Sequence, residues 1–226
     1  MGIILDNPEL RERKFVFSDR QDAGRQLGGF IRAHLKYPNP MVVAIPAGGI
    51  PVGKEVARIL AAPFELAIVR KIQIPGNTEA GFGAITWDGQ VLINEPLRAS
   101  LGLSRKEVDA AIDRTRKNIV DRISRFTGGK PFPDLEGKTT FLVDDGIASG
   151  FTMMAAIKSI RTSHPSAIII AVPTASAASA QRVAAEADQL ICLNIRSSSR
   201  FAVAEAYEHW YDLDDREVMK ELGRHP

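Results

Sequence analysis

Apolar residues in this chain fall into short unbroken runs separated by stretches with a helical period. The runs are MVVAIP (41–46), FELAIV (64–69), FLV (141–143), SAIIIAVP (166–173) and QLICLN (189–194). Runs of this kind mark strands buried on both faces. Between them, residues 19–35 place Leu27, Phe30 and Ile31 on one helical face behind Ser18 as an N-cap. AGGIPVGKEVARIL does the same with Val52, Val56, Ile59 and Leu60, and two further helices follow, from Met153 to about Arg161 and, rich in alanine, over 176–187. Strand and helix alternate from 41 to 194. That alternation predicts an α/β domain with a parallel sheet flanked by helices on both faces.

The remaining segments hang on this core. ITWDGQVLIN reads as two short strands around Asp88-Gly89, a hairpin signal. Residues 96–126 form a long helical stretch, with Ser104 and Glu107 as a capping box. Its apolar face holds Val108, Ile112, Thr115, Ile119 and Ile123. The opposite face, with Arg105, Lys106, Arg114, Arg116 and Lys117, reads as solvated. GGKPFPDLEGK (128–138) is a linker by its glycine and proline content. Residues 1–17 are expected to be partly irregular, ending in FVF, and Asp214 to Leu222 to close as a short helix. The whole is one domain over 1–226: a core of about 41–194, a helical insertion of about 96–134, and a small hood from the N- and C-terminal segments.

Composition narrows the class without changing it. The 226 residues are 45% hydrophobic and 25% charged with a net charge of +2, so nothing suggests a nucleic-acid partner. The single cysteine, Cys192, lies in an apolar run and reads as a buried core residue. The N-terminus lacks the order of a signal peptide, and no apolar run approaches the roughly 20 residues of a membrane span. A cytoplasmic protein without membrane contact is expected.

The candidate chemistry concentrates in TTFLVDDGIASGFTMM, residues 139–154. A buried strand ends in two adjacent acids, Asp144 and Asp145. A small turn follows (Ala148, Ser149, Gly150, Phe151, Thr152) and leads into a helix. In an open parallel sheet, ligands sit beyond the carboxyl ends of the strands. A helix N-terminus there offers unpaired N–H groups and a positive dipole end to a phosphate, and Ser149 and Thr152 add hydroxyl donors. Two carboxylates suit sugar hydroxyls, or magnesium through water. Together these describe a sugar-phosphate site. Ala47, Gly48 and Gly49 form a second turn of the same type, after another strand. Arg70 and Lys71 follow FELAIV directly, either as site cations or as a solvated pair. IPGNTEAGFGAI (74–85) is a mobile loop by composition. Phe201, Tyr207, Trp210 and Tyr211 concentrate aromatics near the C-terminus, to fill a core or to stack on a flat ring.

Residues Phe141 to Thr152 resemble the PRPP-binding motif of the type I phosphoribosyltransferases: an apolar strand, two acids, two mostly apolar residues, then Thr/Ser–Gly–x–Thr. Gly146 fills one usually apolar position. The VVAIP-x-GG-x-P, VRK, PGN and VDDGIA-S-G-x-T segments are similar to a group of phosphoribosyltransferases within that family. The resemblance implies its Rossmann-like fold and a magnesium-dependent transfer of 5-phosphoribose from PRPP to a nitrogenous base, with pyrophosphate released. By the same resemblance Ala47, Gly48, Gly49, Arg70, Lys71, Asp144, Asp145 and residues 148–152 bind PRPP. Asp144, Asp145 and Lys71 are catalytic, the two acids also hold Mg2+, residues 72–82 form a lid, and a homodimer is expected. Two departures matter. Ala47 stands where the pyrophosphate loop often has a basic residue, which leaves open a regulator that binds PRPP or a nucleotide without catalysis. Ala148 stands where the 6-oxopurine enzymes have an acid and the adenine enzymes have alanine, which leans toward a purine-like, adenine-type acceptor. The family loop often holds a cis non-proline peptide, so an unusual backbone is expected at Ala47-Gly48.

Overall fold

The computed structural model describes residues 2–77, 80–198 and 200–224. In chain order the elements are β1 (Ile3–Asp6), α1 (Arg20–His34), β2 (Pro40–Ala44), α2 (Gly49–Leu60), β3 (Phe64–Leu66), β4 (Arg70–Gln73), β5 (Gly81–Ile85), β6 (Val91–Ile93) and α3 (Glu95–Ser100). There follow α4 (Arg105–Thr127), β7 (Thr139–Val143), α5 (Phe151–Arg161), β8 (Ala167–Ser176), α6 (Ala177–Ala184), β9 (Gln189–Arg196) and α7 (Asp215–Glu221).

Six strands form one sheet in the order β1-β9-β8-β7-β2-β3, every neighbouring pair parallel. Its apolar runs are buried on both faces because both are covered. Leu27 and Ile31 of α1 and Val52 and Val56 of α2 pack one face, against Val42, Phe141, Val143 and Ile169. Met153 and Ile157 of α5 and Val183 of α6 pack the other, against Val43, Leu142 and Ile170. Cys192 is fully buried there.

Three further strands, β4-β5-β6, make a separate antiparallel sheet. It packs through Ile72, Phe82 and Ile85 against Val108, Ile119 and Phe126 of α4 and Val218 of α7. The capping box at Ser104 is formed, with Glu107 N–H donating to the serine oxygen and the Glu107 carboxylate accepting from Ser104 N–H.

Several expectations shift. The N-terminal segment is not wholly irregular. IILD pairs as an edge strand with β9, a partner set by distant sequence that leaves Ile3 65% exposed and so without a burial pattern. The cap of α1 is Asp19, which accepts from Asp22 N–H at 2.7 Å, while Ser18 N–H is a donor to Asp22. The strand expected over 64–69 ends at Leu66, and Arg70 and Lys71 open β4 in the second sheet. Residues 81–85 of the expected mobile loop are strand β5, because Phe82, Ala84 and Ile85 are fully buried. Ile72 and Phe82, inside the expected lid of 72–82, are likewise fully buried, which narrows any lid to 74–80; its Thr78 and Glu79 lie outside the described residues.

Candidate active site

β7 and β2 are neighbours, paired from Pro40↔Thr139 to Ala44↔Val143, so both run out at the same sheet edge. Two turns therefore face each other there. After β7 come Asp144, Asp145 and the turn into α5. After β2 comes the glycine turn into α2. The peptide between Pro46 and Ala47 is cis, one bond before the position expected.

The close approach of these turns needs glycine. A Cβ on Gly48 would lie 1.8 Å from Asp145 Oδ2. Gly150, the N-cap of α5, has φ +80°, a conformation that favours glycine. Ala148 carbonyl accepts from Ser179 Oγ at 2.5 Å, and Ser149 carbonyl from Arg182 Nη1 at 3.0 Å, so α6 holds the turn from behind. Ile147 N–H donates to Thr174 carbonyl at 2.9 Å, which ties the same turn to β8.

A cleft of about 400 Å³ opens here. It is lined by Ala47, Gly48, Arg70, Lys71, Asp144, Asp145, Ala148, Ser149, Gly150 and Thr152, all expected from sequence. Gly49 and Phe151, also expected, do not line it; they begin α2 and α5 just behind the wall. Arg70 and Lys71 thus face the cleft from the second sheet. Burial pulls the Arg70 guanidinium below the usual arginine range, against the charge of Asp215.

The acids are pinned. Asp144 Oδ1 accepts the Asp145 N–H at 2.8 Å, and Asp145 Oδ2 accepts Arg20 Nε at 2.8 Å. Burial, with the Asp145 charge next in weight, raises Asp144 well above the usual carboxylate range. Burial raises Asp145 too, and Arg20 works against it. Both acids line the cleft. A magnesium ion keeps several waters and takes one or two carboxylates plus phosphate or hydroxyl oxygens. Two adjacent carboxylates lining the cleft fit that need.

Sequence reasoning missed Arg20. It is 6% exposed, yet it lines the cleft. Its partner Asp145 is 125 residues away, so no local spacing reveals the pair. Asp212 and Leu213 were missed as well, and with Val203 and Trp210 they complete the cleft wall from the C-terminal segment. Of the four aromatics there, Tyr207 is buried at 1% exposure and Tyr211 is exposed at 54%. Trp210 is half-buried with the Arg20 guanidinium over its ring.

Residues 19–210 match the family model described as "Phosphoribosyl transferase domain". The chain belongs to the phosphoribosyl transferase family. The Mycobacterium tuberculosis protein named "Putative phosphoribosyl transferase Rv0571c" is 35% identical over 209 residues, covering 92% of this chain and 47% of that protein. The chain therefore spans about half the length of the curated relatives it matches. The crystal structure of TT1426 from Thermus thermophilus superposes with a TM-score of 0.73 at 31% identity, over 91% of this chain and 97% of that one. The parallel sheet and its flanking helices are the type I phosphoribosyltransferase fold. Among the described residues no helix is long and apolar enough to cross a membrane.

Proposed function

We propose that this protein transfers 5-phosphoribose from PRPP to a nitrogenous base, purine-like, with magnesium and with release of pyrophosphate. The observation that carries the reading is the convergence of the acid pair, the hydroxyl turn and the glycine turn on one cleft.

The roles follow from position. The turn at 148–152 and the start of α5 hold the 5′-phosphate through N–H groups and the Ser149 and Thr152 hydroxyls. Asp144 and Asp145 hold the ribose hydroxyls. Arg70 and Lys71 offer positive charge to the pyrophosphate from the facing sheet, in place of the basic residue that Ala47 does not supply. Asp144 and Asp145 would hold a magnesium ion, which when bound would neutralise charge on the pyrophosphate. The bond from C1 to the pyrophosphate oxygen breaks and a C1–N bond forms, and the ring passes through oxocarbenium character. Two carboxylates beneath the sugar favour that cation. The proton lost from the acceptor nitrogen leaves to the pyrophosphate, since Ala148 provides no acid or base. Trp210 and Leu213 exclude water from the reacting atoms.

A second reading is a regulator of the same fold that binds PRPP or a nucleotide without transfer, which Ala47 favours. Pyrophosphate release from PRPP and magnesium with a panel of bases tests both. Release with a purine supports transfer. Tight PRPP binding with no release for any base supports the regulator. A homodimer and a cytoplasmic location belong to the same proposal, and sedimentation and cell fractionation test them.

A further inference from the structure

Arg20, the first residue of α1, is a buried charge, and burying a charge is costly unless it is paired and hydrogen-bonded. Nε donates to Asp145 Oδ2 at 2.8 Å, and Nη1 donates to the Tyr211 carbonyl at 2.7 Å. The flat face of the same group lies 3.9 Å from the centre of the Trp210 ring, a good cation–π distance. One side chain therefore spans the cleft floor from the acid to the C-terminal wall. The same wall also holds the main chain of Asp145, through the Tyr207 hydroxyl, which donates to the Asp145 carbonyl at 2.6 Å. Tyr207 in turn packs between Phe17 and Trp210, at 5.7 Å and 5.2 Å between ring centres.

The geometry points to Arg20 as a positioning residue. It fixes the spacing between the Asp145 carboxylate and the Trp210–Leu213 wall, and so keeps sugar and acceptor in line. The inference rests on the transfer reading above. Its physical basis is the rigid fork of the guanidinium, which can hold a carboxylate and a carbonyl at once while stacked on an aromatic face; a lysine keeps the charge but not the fork. With Oδ2 held by Arg20, the Asp145 carboxylate is kept in one orientation in the cleft lining.

The test uses Arg20→Met, Arg20→Lys and Trp210→Leu. PRPP affinity is measured by calorimetry with magnesium, turnover with the base found in the panel, and Trp210 emission as PRPP is added. Loss of that emission change in Trp210→Leu assigns it to Trp210. A positioning role predicts that Arg20→Met loses turnover by about a hundred-fold, the scale of a 1 Å misplacement, and PRPP affinity by a much smaller factor, since Asp145 also holds the ribose. The variant should also lose the PRPP-dependent change in Trp210 emission, and Arg20→Lys should recover part of the turnover. If Arg20→Met does not fold, Arg20→Lys, which keeps the charge but not the fork, decides the matter by the same split between turnover and affinity measured against the wild type. Equal losses of affinity and turnover would mean that Arg20 contacts PRPP itself and would overturn the inference, as would unchanged turnover. If the wild type binds PRPP but transfers to no base, the transfer reading fails, and the emission change in Arg20→Met still decides the coupling. If the wild type binds no PRPP, both fall together before any variant is compared.

Discussion

Gly48 stands where any side chain would strike Asp145 Oδ2, and Arg20 keeps that carboxylate from swinging away. Gly48→Ala should therefore cost about 1–3 kcal/mol of stability, read from urea unfolding, and weaken PRPP binding as the glycine turn and the acids move apart. Asp144 carries a different consequence. Its proton affinity is raised in the folded state by burial and then by the Asp145 charge. Between the ordinary aspartate pKa of about 3.9 and that raised value, the folded protein binds more protons than the unfolded chain, so stability falls as pH rises through the window. Asp144→Asn keeps the acceptor for Asp145 N–H and never ionises. Thermal melts without metal or ligand should show the variant more stable at neutral pH, with the gap closing as the pH falls below the raised value. Thr152→Val keeps shape but removes a donor to a charged group. PRPP and ribose-5-phosphate should both bind more weakly by about 1.5–3 kcal/mol in calorimetry; unchanged affinities would remove Thr152 from the phosphate site.

At the scale of elements, α4 stands off the cleft, packed on the second sheet and tied to α7 through Arg122 and Arg125 to Asp215. Ser104→Ala removes the serine half of its capping box and should cost about 1 kcal/mol in denaturant unfolding, with PRPP affinity unchanged. The elements legible in the sequence were those whose burial leaves a local trace. β2, β7, β8 and β9 are unbroken apolar runs, and the strand–acid–turn–helix order at 143–152 marked the acids and the turn that line the cleft. What escaped was set by distant partners. β1 is four residues long and meets β9 across nearly the whole chain. β5 looked like a mobile loop because Gly81 and Gly83 hid its apolar alternation, and glycine there is required: a Cβ on Gly83 would come 2.6 Å from the Leu92 carbonyl of β6. Arg20 and Asp212 carry no local motif, and only the fold brings them to the cleft.

Across the whole molecule, the cleft is assembled from the middle of the chain and from both of its flanks. Phe17 bridges to Tyr207, Arg20 reaches Tyr211, and β1 lies on β9. Synthesis proceeds from the N-terminus at about 5–20 residues per second. The strand that β1 will pair with, and the carbonyl that Arg20 will hold, are therefore made after β1, β2 and β7. On the ribosome, the acids of β7 emerge and can dock beside β2 while Arg20 is still without its C-terminal partner. A nascent chain stalled before residue 200 should bind no PRPP, and one extended past residue 213 with the tunnel cleared should bind it, as pull-down of stalled ribosomes on immobilised PRPP analogue would report. The order in which partners appear thus withholds ligand competence until the wall that Arg20 grips has been translated.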